Sequence, residues 1–471
     1  MRIFKHNIHV ASFRLALFEL ILLFVAVILT TSYLRTGYPD VAQHSVVLHF
    51  VPPIFTFIFS YALGLYSKEA IADPLQGFMR HGLASLLTAL AIFFFLGAYF
   101  YLRAKTGGED FPLAVQFRVV VLYVGTAFLL AALGRYLFVR VVDLEVLKRR
   151  VLVLGTGQKA ERIQAFMQKA ENSVFARITF LPVVDEPVLT EAANTLVPLA
   201  HHNKPLKALV DEMGIDELVV ATDDRRGLPT AELLDAKLSG IAVSDYLDFY
   251  EREARRIDLD ALSPSWFIYS DGFASGAFHY AAKRSFDILV SAAVLAFALP
   301  VMVVTALLIR LDSPGPIFYR QVRTGLNGKP FTLFKFRSMR VDAEREGPQW
   351  AALSDNRITR IGAFIRKTRI DELPQVFCVL RGQMSFIGPR PERPFFVESL
   401  TQHVPYYNER HRMKPGITGW AQVNYPYGAS IADAKEKLSY DLYYTKNFSL
   451  FLDVLILLQT IRVVLVPEGA R

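Results

Sequence analysis

Four apolar stretches crowd the first third of the chain, at Leu15–Tyr33, Val46–Leu65, Leu83–Leu102 and Val119–Val139. Each is close to the roughly 20 residues a helix needs to cross hydrocarbon. Because an apolar medium offers no partners to backbone polar groups, such stretches must be helices, and the chain must be a membrane protein. The composition agrees, with 52% hydrophobic residues and 37 Phe. No cleavable signal peptide is expected, since the first stretch lacks a small-residue cleavage site and further stretches follow it. Arg2, Lys5 and Arg14 precede the first stretch, and Arg140, Lys148, Arg149 and Arg150 follow the fourth, so the positive-inside rule puts both ends in the cytoplasm. Lys68 and Arg80 agree with that orientation, whereas Arg103, Lys105 and Arg118 fall on the outer side. Glu19 lies inside the first span, where it is expected to be paired or to snorkel, and Pro52-Pro53 should kink the second.

At 471 residues the chain is too long for one core. A net charge of +8 suits an anionic lipid surface and phosphate-bearing substrates equally. The single cysteine, Cys378, excludes an internal disulfide and gives no sign of a zinc or iron–sulfur site. Between Lys148 and Glu253, strand and helix signals alternate. VLVLGTGQKAERI places a buried-strand run before Gly155-x-Gly157-x-x-Ala160, which resembles a dinucleotide fingerprint. Further strands are expected at Ile178–Val184, Glu217–Ala221 and Ile241–Val243, giving a doubly wound α/β unit. The fingerprint is incomplete: Ala160 replaces the third glycine, and the nearest strand-end acid, Asp185, lies farther on than the usual spacing of about 20 residues. An architectural or regulatory role is expected, without a catalytic nicotinamide. Arg252–Ala282 reads as an irregular linker.

A fifth apolar stretch, Ile288–Ile309, also has spanning length, with Pro300 at its middle and Arg284, Asp287, Arg310 and Asp312 around it. A straight span would carry everything after it to the outer face. A helix broken at Pro300 could instead enter and leave on one side. Periodicity does not choose between these.

Farther on, Asp371-Glu372 follows a burst of cations (Arg357, Arg360, Arg366, Lys367, Arg369) in DNRITRIGAFIRKTRIDELPQVFCVL. Nearby cations favour the charged form of a carboxylate, so the pair is expected to be ionised and able to attack an electrophile or hold a divalent metal. The bland alternative is a solvated helix face with ion pairs. Pro374 cannot continue a helical ladder and should fix where the pair points.

The motifs from Lys283 onward occur in a telling order: KRSFD, DSPGP, FTLFKFRSMR, RKTRIDELPQV, FIGPRPERP, KPGITGWAQV and YDLYYTKN. This series resembles the bacterial sugar transferase family, the monotopic polyprenyl-phosphate glycosyl-1-phosphate transferases. The upstream spans and α/β insert resemble its large subfamily. QVNYPYGAS and the terminal GAR look like the exosortase-associated branch, close to undecaprenyl-phosphate glucose phosphotransferases.

The resemblance implies a membrane protein of α plus α/β class. It comprises a four-helix transmembrane bundle (1–145), a Rossmann-like cytoplasmic domain (146–262), a linker (263–282) and a monotopic catalytic domain (283–471) with a re-entrant helix over 284–312 broken at Pro300. It implies transfer of a sugar 1-phosphate from a UDP-sugar, first of all UDP-glucose, to undecaprenyl phosphate, with release of UMP, to initiate exopolysaccharide or capsule assembly. Asp371 matches the nucleophile that forms a covalent phosphosugar intermediate, and Glu372 its partner. Mg2+ is the implied cofactor, with Asp371 as a ligand. Lys335, Arg337, Arg369 and Arg390 fall in the basic motifs and would meet the phosphates; the plain alternative for these cations is a lipid-headgroup contact. Asp441 matches an acidic position near the site, though it would serve equally as a charge at the start of a helix over Leu442–Asn447. The implied partners are the UDP-sugar, undecaprenyl phosphate, inner-membrane lipid and a second copy in a homodimer, with no nucleic acid. The catalytic domain is placed on the cytoplasmic face of the bacterial inner membrane.

One departure is Leu299-Pro300, where the family often has Ser-Pro. The final stretch, Phe448–Val466, spaces Asp453, Gln459 and Arg462 at helical intervals and reads as an interfacial amphipathic helix. Two other readings compete. A membrane-bound nucleotide-sugar dehydratase needs an intact second fingerprint and a Tyr-x-x-x-Lys pair in its catalytic domain. A non-enzymatic scaffold would leave the carboxylate pair and its cations unexplained.

Overall fold

The structure, a computed structural model, describes Arg2–Leu465 except residues 4–5, 8–9, 38–44, 67–73, 107–112, 142–148, 170–174, 184–204, 274–275, 342, 344–356, 427 and 429. The chain divides into two compact units, one ending at Tyr246 and the other beginning at Leu247.

The first unit opens with helices α1 (Val10–Gly37), α2 (Ser45–Ala62), α3 (Pro74–Lys105) and α4 (Leu113–Val141). α1 and α3 each pack against both α2 and α4. Leu23, Ile92, Leu96, Val119 and Tyr123 fill the interior, yet Phe94 is 70% and Leu129 67% exposed on the outside. A helix apolar on both faces belongs in an apolar medium. Glu19 is indeed paired: Arg135 of α4 reaches it at 2.7 Å and also donates to the Leu65 carbonyl at 2.8 Å.

Among the described residues, the helices long and apolar enough to cross a membrane are Phe13–Leu34, Gly77–Lys105, Leu113–Phe138 and Ala277–Asp312. The second expected stretch forms α2, which ends at Ala62 just before the chain turns at Gly64, whose φ of 69° a helix does not accept. The fifth stretch also qualifies by length and composition. α2 runs through Pro52 and Pro53 as one helix.

The α/β part contains β1 (Arg149–Leu154), α5 (Gln158–Lys169), β2 (Phe175–Leu181), α6 (Leu206–Met213), β3 (Glu217–Val220), α7 (Thr230–Leu238) and β4 (Ala242–Asp245). The four strands form one parallel sheet in the order β2-β1-β3-β4. Val151–Leu154 are buried, as in a parallel sheet covered on both faces. Asp185 lies outside the described residues. In the fingerprint loop, the Asp223 carboxylate accepts the backbone N–H groups of Gln158 (2.7 Å) and Lys159 (3.3 Å) at the start of α5. A dinucleotide would need those same donors for its pyrophosphate. Gly155 has φ 119°, and a Cβ there would lie 2.8 Å from the Ala221 carbonyl oxygen. Gly155→Ala is therefore expected to cost about 1–3 kcal/mol of stability through strain while leaving turnover per folded molecule unchanged, as thermal melting and activity on one preparation would test.

The second unit begins with α8 (Tyr246–Ala254) and α9 (Pro264–Tyr269), followed by the long α10 (Ala277–Asp312). The expected irregular linker is thus partly helical, with Pro264 at the first turn of α9, where a missing N–H costs nothing. The antiparallel hairpin β5 (Phe318–Thr324) and β6 (Pro330–Phe336) pairs Tyr319 with Lys335. Then come α11 (Arg360–Lys367), a 3-10 turn at Ile370–Glu372, α12 (Gln375–Leu380), β7 (Ser385–Ile387) and α13 (Pro394–His403). A second 3-10 turn (Tyr407–Arg412), β8 (Gly416–Thr418), α14 (Trp420–Asn424), α15 (Ile431–Asn447) and α16 (Leu450–Leu465) complete it. The main core gathers Ile387, Trp420, Leu442, Tyr443, Tyr444, Leu452 and Ile456.

Of the expected polar face of α16, Asp453 turns inward, and the side chain of Arg462 lies outside the described residues. Asp453 is fully buried, where Lys283 of α10 meets it at 2.8 Å and the Tyr444 hydroxyl donates to it at 2.7 Å. Asp453 can face the core because a cation from far upstream neutralises it.

The expected break of this helix at Pro300 is not found: α10 stays helical through it, losing there only the one backbone N–H that proline lacks. Both of its ends bond to the same body. Near the start, Arg284 donates to the Val379 and Leu380 carbonyls at 2.6 and 2.7 Å, and Asp287 accepts from Ser385 Oγ and the Phe386 N–H at 2.9 Å each. Near the end, Met302 and Ile309 pack with Phe336 and Ile365, and Asp312 accepts from the Ile361 N–H at 3.2 Å. Between these anchors Phe297 is 86% exposed and Leu299 and Val303 also protrude.

Candidate active site

α11 is capped at its start by the Thr359 hydroxyl, which accepts from the Gly362 N–H, and it ends at Thr368. The next residue, Arg369, takes the left-handed conformation (φ 59°, ψ 13°) more usual for glycine at a helix end. That reversal turns Ile370 toward the core shared with α10 and delivers Asp371 and Glu372 together in the 3-10 turn, closed by Pro374. Pro374 thus stands where the carboxylates are aimed.

Both carboxylates are buried, and their surroundings differ. Lys335 Nζ of β6 and Arg390 Nη2 of the loop after β7 each bond Glu372 Oε1 at 2.9 Å, with Arg369 at 3.9 Å. Burial alone would raise the Glu372 carboxyl, but Arg390 and Lys335, by charge and hydrogen bond together, hold it well below the usual carboxylate range. Lys335 is lowered in turn, since its desolvation outweighs the attraction of Glu372. Among the described residues, no hydrogen bond or ion pair engages the Asp371 carboxylate. Burial pushes Asp371 up, Lys335 counteracts this, and the neighbouring Glu372 anion adds to it. The expectation that cations lower both groups therefore fails for Asp371: burial outweighs the pull of Lys335, Arg369 and Arg366, and the neighbouring Glu372 anion adds to it.

Of the four expected cations, Lys335, Arg369 and Arg390 converge on Glu372. Arg337 does not. It donates to the Pro314 carbonyl (2.8 Å), the Ser313 carbonyl (2.7 Å) and Ser313 Oγ (2.9 Å), clamping the loop after α10. Its place explains Gly315, at φ 126°, where a Cβ would lie 1.9 Å from Arg337 Nη1. Strand alternation would put residues 335 and 337 on one face; they part because Lys335 lies inside β6 while Arg337 has already left it.

Asp441 is not at a helix start. It lies inside α15, buried, with Arg410 at 2.7 Å. Burial lifts it to about 6 against the pull of Arg410. Arg410 also donates to Tyr407 Oη at 2.6 Å and to the Arg390 carbonyl at 2.9 Å. Among the described residues, Asp441 reaches the site through Arg410 and the Arg390 backbone. Arg410 is the residue behind the site that sequence reasoning missed. It stands among the cations of NERHRMKPG, and no local spacing ties it to Asp441 or Arg390.

A cleft lined by Thr324, Val397, Thr401, Asn408 and His411 contains neither carboxylate, so the site is defined by its charges rather than by concavity. No group of three or more His, Cys, Asp or Glu side chains converges among the described residues. Magnesium asks for less, commonly one or two carboxylates completed by substrate phosphates and water, and the unengaged Asp371 carboxylate fits that demand.

One unit thus holds both an apolar helix bonded at its two ends and a buried carboxylate pair on which cations converge. The sequence profile described as bacterial sugar transferase matches residues 278–467. The exopolysaccharide production protein PSS of Rhizobium leguminosarum bv. phaseoli is 43% identical over 188 residues, covering 38% of this chain and 92% of that protein. The chain belongs to the bacterial sugar transferase family. It is also 50% identical over 189 residues (40% of this chain, 45% of the relative) to the UDP-N-acetylgalactosamine-undecaprenyl-phosphate N-acetylgalactosaminephosphotransferase of Aeromonas hydrophila. The UDP-glucose:undecaprenyl-phosphate glucose-1-phosphate transferase of Xanthomonas campestris pv. campestris is 46% identical over 164 residues, 34% of each chain. The match thus spans less than half the length of these last two relatives.

Proposed function

We propose that the protein transfers a sugar 1-phosphate from a UDP-sugar to undecaprenyl phosphate, initiating an exopolysaccharide or capsule. The observation that carries this is the asymmetry of the pair: a buried Asp371 carboxylate without a described partner, beside a Glu372 held by three cations. An Asp371 oxygen attacks the sugar-bearing β-phosphorus, and the bond from that phosphorus to the bridging oxygen breaks, releasing UMP. A phosphate oxygen of undecaprenyl phosphate then attacks the same phosphorus and breaks its bond to Asp371, which restores the carboxylate. Lys335 and Arg390, gathered at Glu372, meet the diphosphate charge. Mg2+, held by Asp371 and the diphosphate, would supply further charge neutralisation when bound. The same separation of roles leaves Arg337 outside the chemistry.

Relatives named for glucose and for N-acetylgalactosamine both match, so UDP-glucose is the first donor to test and UDP-N-acetylgalactosamine the second. The test is UMP release from a panel of UDP-sugars with undecaprenyl phosphate, plus acid trapping of sugar label on the protein. UMP release dependent on the lipid phosphate, with label on a peptide containing Asp371, is expected. Transfer without protein-bound label would remove the covalent step, and no release from any donor would favour a scaffold.

The attachment we propose is monotopic, with α10 entering and leaving on the cytoplasmic face of the inner membrane. The support is that Arg284 and Asp287 at one end and Asp312 at the other bond the same body, which a straight span would carry to opposite sides. The exposed apolar middle then sits in lipid. With single cysteines at Gly276 and Lys329 in a Cys378→Ser background, a membrane-impermeant thiol reagent should label neither site in intact spheroplasts and both after lysis. Labelling of Lys329→Cys alone before lysis would establish a span.

A further inference from the structure

Leu247–Phe273 precedes the stretch that the family profile matches, yet it is bonded into the second unit along its whole length. Glu251 of α8 is buried, and its carboxylate accepts from Lys446 Nζ at 2.5 Å and from Asn447 Nδ2 at 2.6 Å, both at the end of α15. The Arg255 carbonyl accepts from Trp420 Nε1 at 2.8 Å, and the Ile257 N–H donates to the Ser439 carbonyl at 3.1 Å. Arg256 pairs with Glu436, and Asp260 with Lys435. Lys446 also sits 4.5 Å over the Trp266 ring. The segment leaves past Gly272, at φ 119°, where a Cβ would lie 2.6 Å from the Lys446 carbonyl oxygen. Phe267 meets Tyr406, with ring centroids 5.0 Å apart, just before the turn that carries Arg410.

These contacts grip both supports of the ion pair behind the site. Asp441 lies between Ser439 and Lys446 on α15, and Arg410 lies in the turn that Tyr406 opens. We propose that Leu247–Phe273 is a positioning strap for the transfer reaction: it fixes α15 and the Tyr407–Arg412 turn so that Arg410 holds the Arg390 carbonyl and Arg390 stays on Glu372. Glu251 is its central residue. It touches no reacting atom and acts through Lys446, Asn447 and the helix they end. The proposal rests on the assignment of Asp371 and Glu372 as the catalytic pair. It also accounts for the last residues of YDLYYTKN, whose ammonium and amide groups serve the strap.

The test uses the full chain in detergent with UDP-glucose or UDP-N-acetylgalactosamine, whichever is turned over. Glu251→Gln keeps a hydrogen-bonding oxygen for Asn447 and removes the charge that Lys446 needs. It should fold, lower kcat about tenfold and change KM for the UDP-sugar less than about twofold, because the strap orients groups rather than binding the donor. Glu251→Gln/Lys446→Gln, which restores a neutral hydrogen-bonded pair, should recover most of the loss. Amide exchange across Tyr407–Arg412 should quicken in Glu251→Gln and slow again in the double variant. An unchanged kcat with unchanged exchange in a folded Glu251→Gln overturns the strap, as does a kcat loss that follows only the folded fraction. If Glu251→Gln does not fold, Phe267→Ala at the Tyr406 contact takes the same measurements under the same criteria. Quickened exchange in a protein whose wild type turns over no UDP-sugar would leave the strap standing and sink the catalytic reading instead.

Discussion

Asp371→Asn is expected to abolish UMP release, leaving less than about one part in 10^4 of wild-type turnover, the scale on which loss of a covalent nucleophile is felt. The substitution keeps size and removes the oxygen anion that must attack phosphorus. It should not harm the fold. Burial raises the Asp371 carboxyl above its unfolded value, so ionised Asp371 burdens the folded state at neutral pH, and a neutral amide lifts that burden. The variant should therefore melt no lower than the wild type. The same shift predicts that the acid limb of the wild-type rate profile lies above the ordinary aspartate range. Wild-type release by purified Asp371→Asn would falsify the nucleophile assignment.

Glu372→Gln acts in the opposite sense on stability. Its folded pKa is depressed, so its contribution is present above its ordinary value near 4.3 and is lost as pH falls through the folded value. With a side chain only 11% exposed, removing its charge leaves the half-buried Lys335 and Arg390 without that partner, which should cost about 1–3 kcal/mol. Turnover per folded molecule should also drop, by about 10^2-fold or more, because the two cations lose the anchor that aims them. Chemical denaturation at neutral pH and well below pH 4 tests this: the gap between variant and wild type should narrow as pH falls from about 4.3 toward the folded value. A gap that does not depend on pH would mean that Glu372 does not carry the charge assigned to it.

The membrane character, the parallel α/β unit and the carboxylate pair were legible because each is local. Apolar length, strand runs before a glycine turn and two adjacent acids announce themselves within a few residues of sequence. Lys335 and Arg390 were legible through ordered motifs, whereas Arg337, two residues beyond Lys335, was misplaced because only the end of β6 separates their directions. Asp441 was found as a residue and not as a partner. Its pairing with Arg410, like that of Asp453 with Lys283, joins positions that nothing in local periodicity connects.

What the sequence determined by itself is which segments must leave water and which residue types carry charge into the site, since hydrophobic length and side-chain chemistry are properties of neighbouring residues. The tertiary structure alone decided which charges meet. Glu372, not Asp371, takes the cations, because the 3-10 turn aims the two carboxylates differently. Glu251 is bound to the end of α15 although the chain between them is long, because burying an ion pair or a carbonyl requires a partner in space, and only the packed fold supplies it.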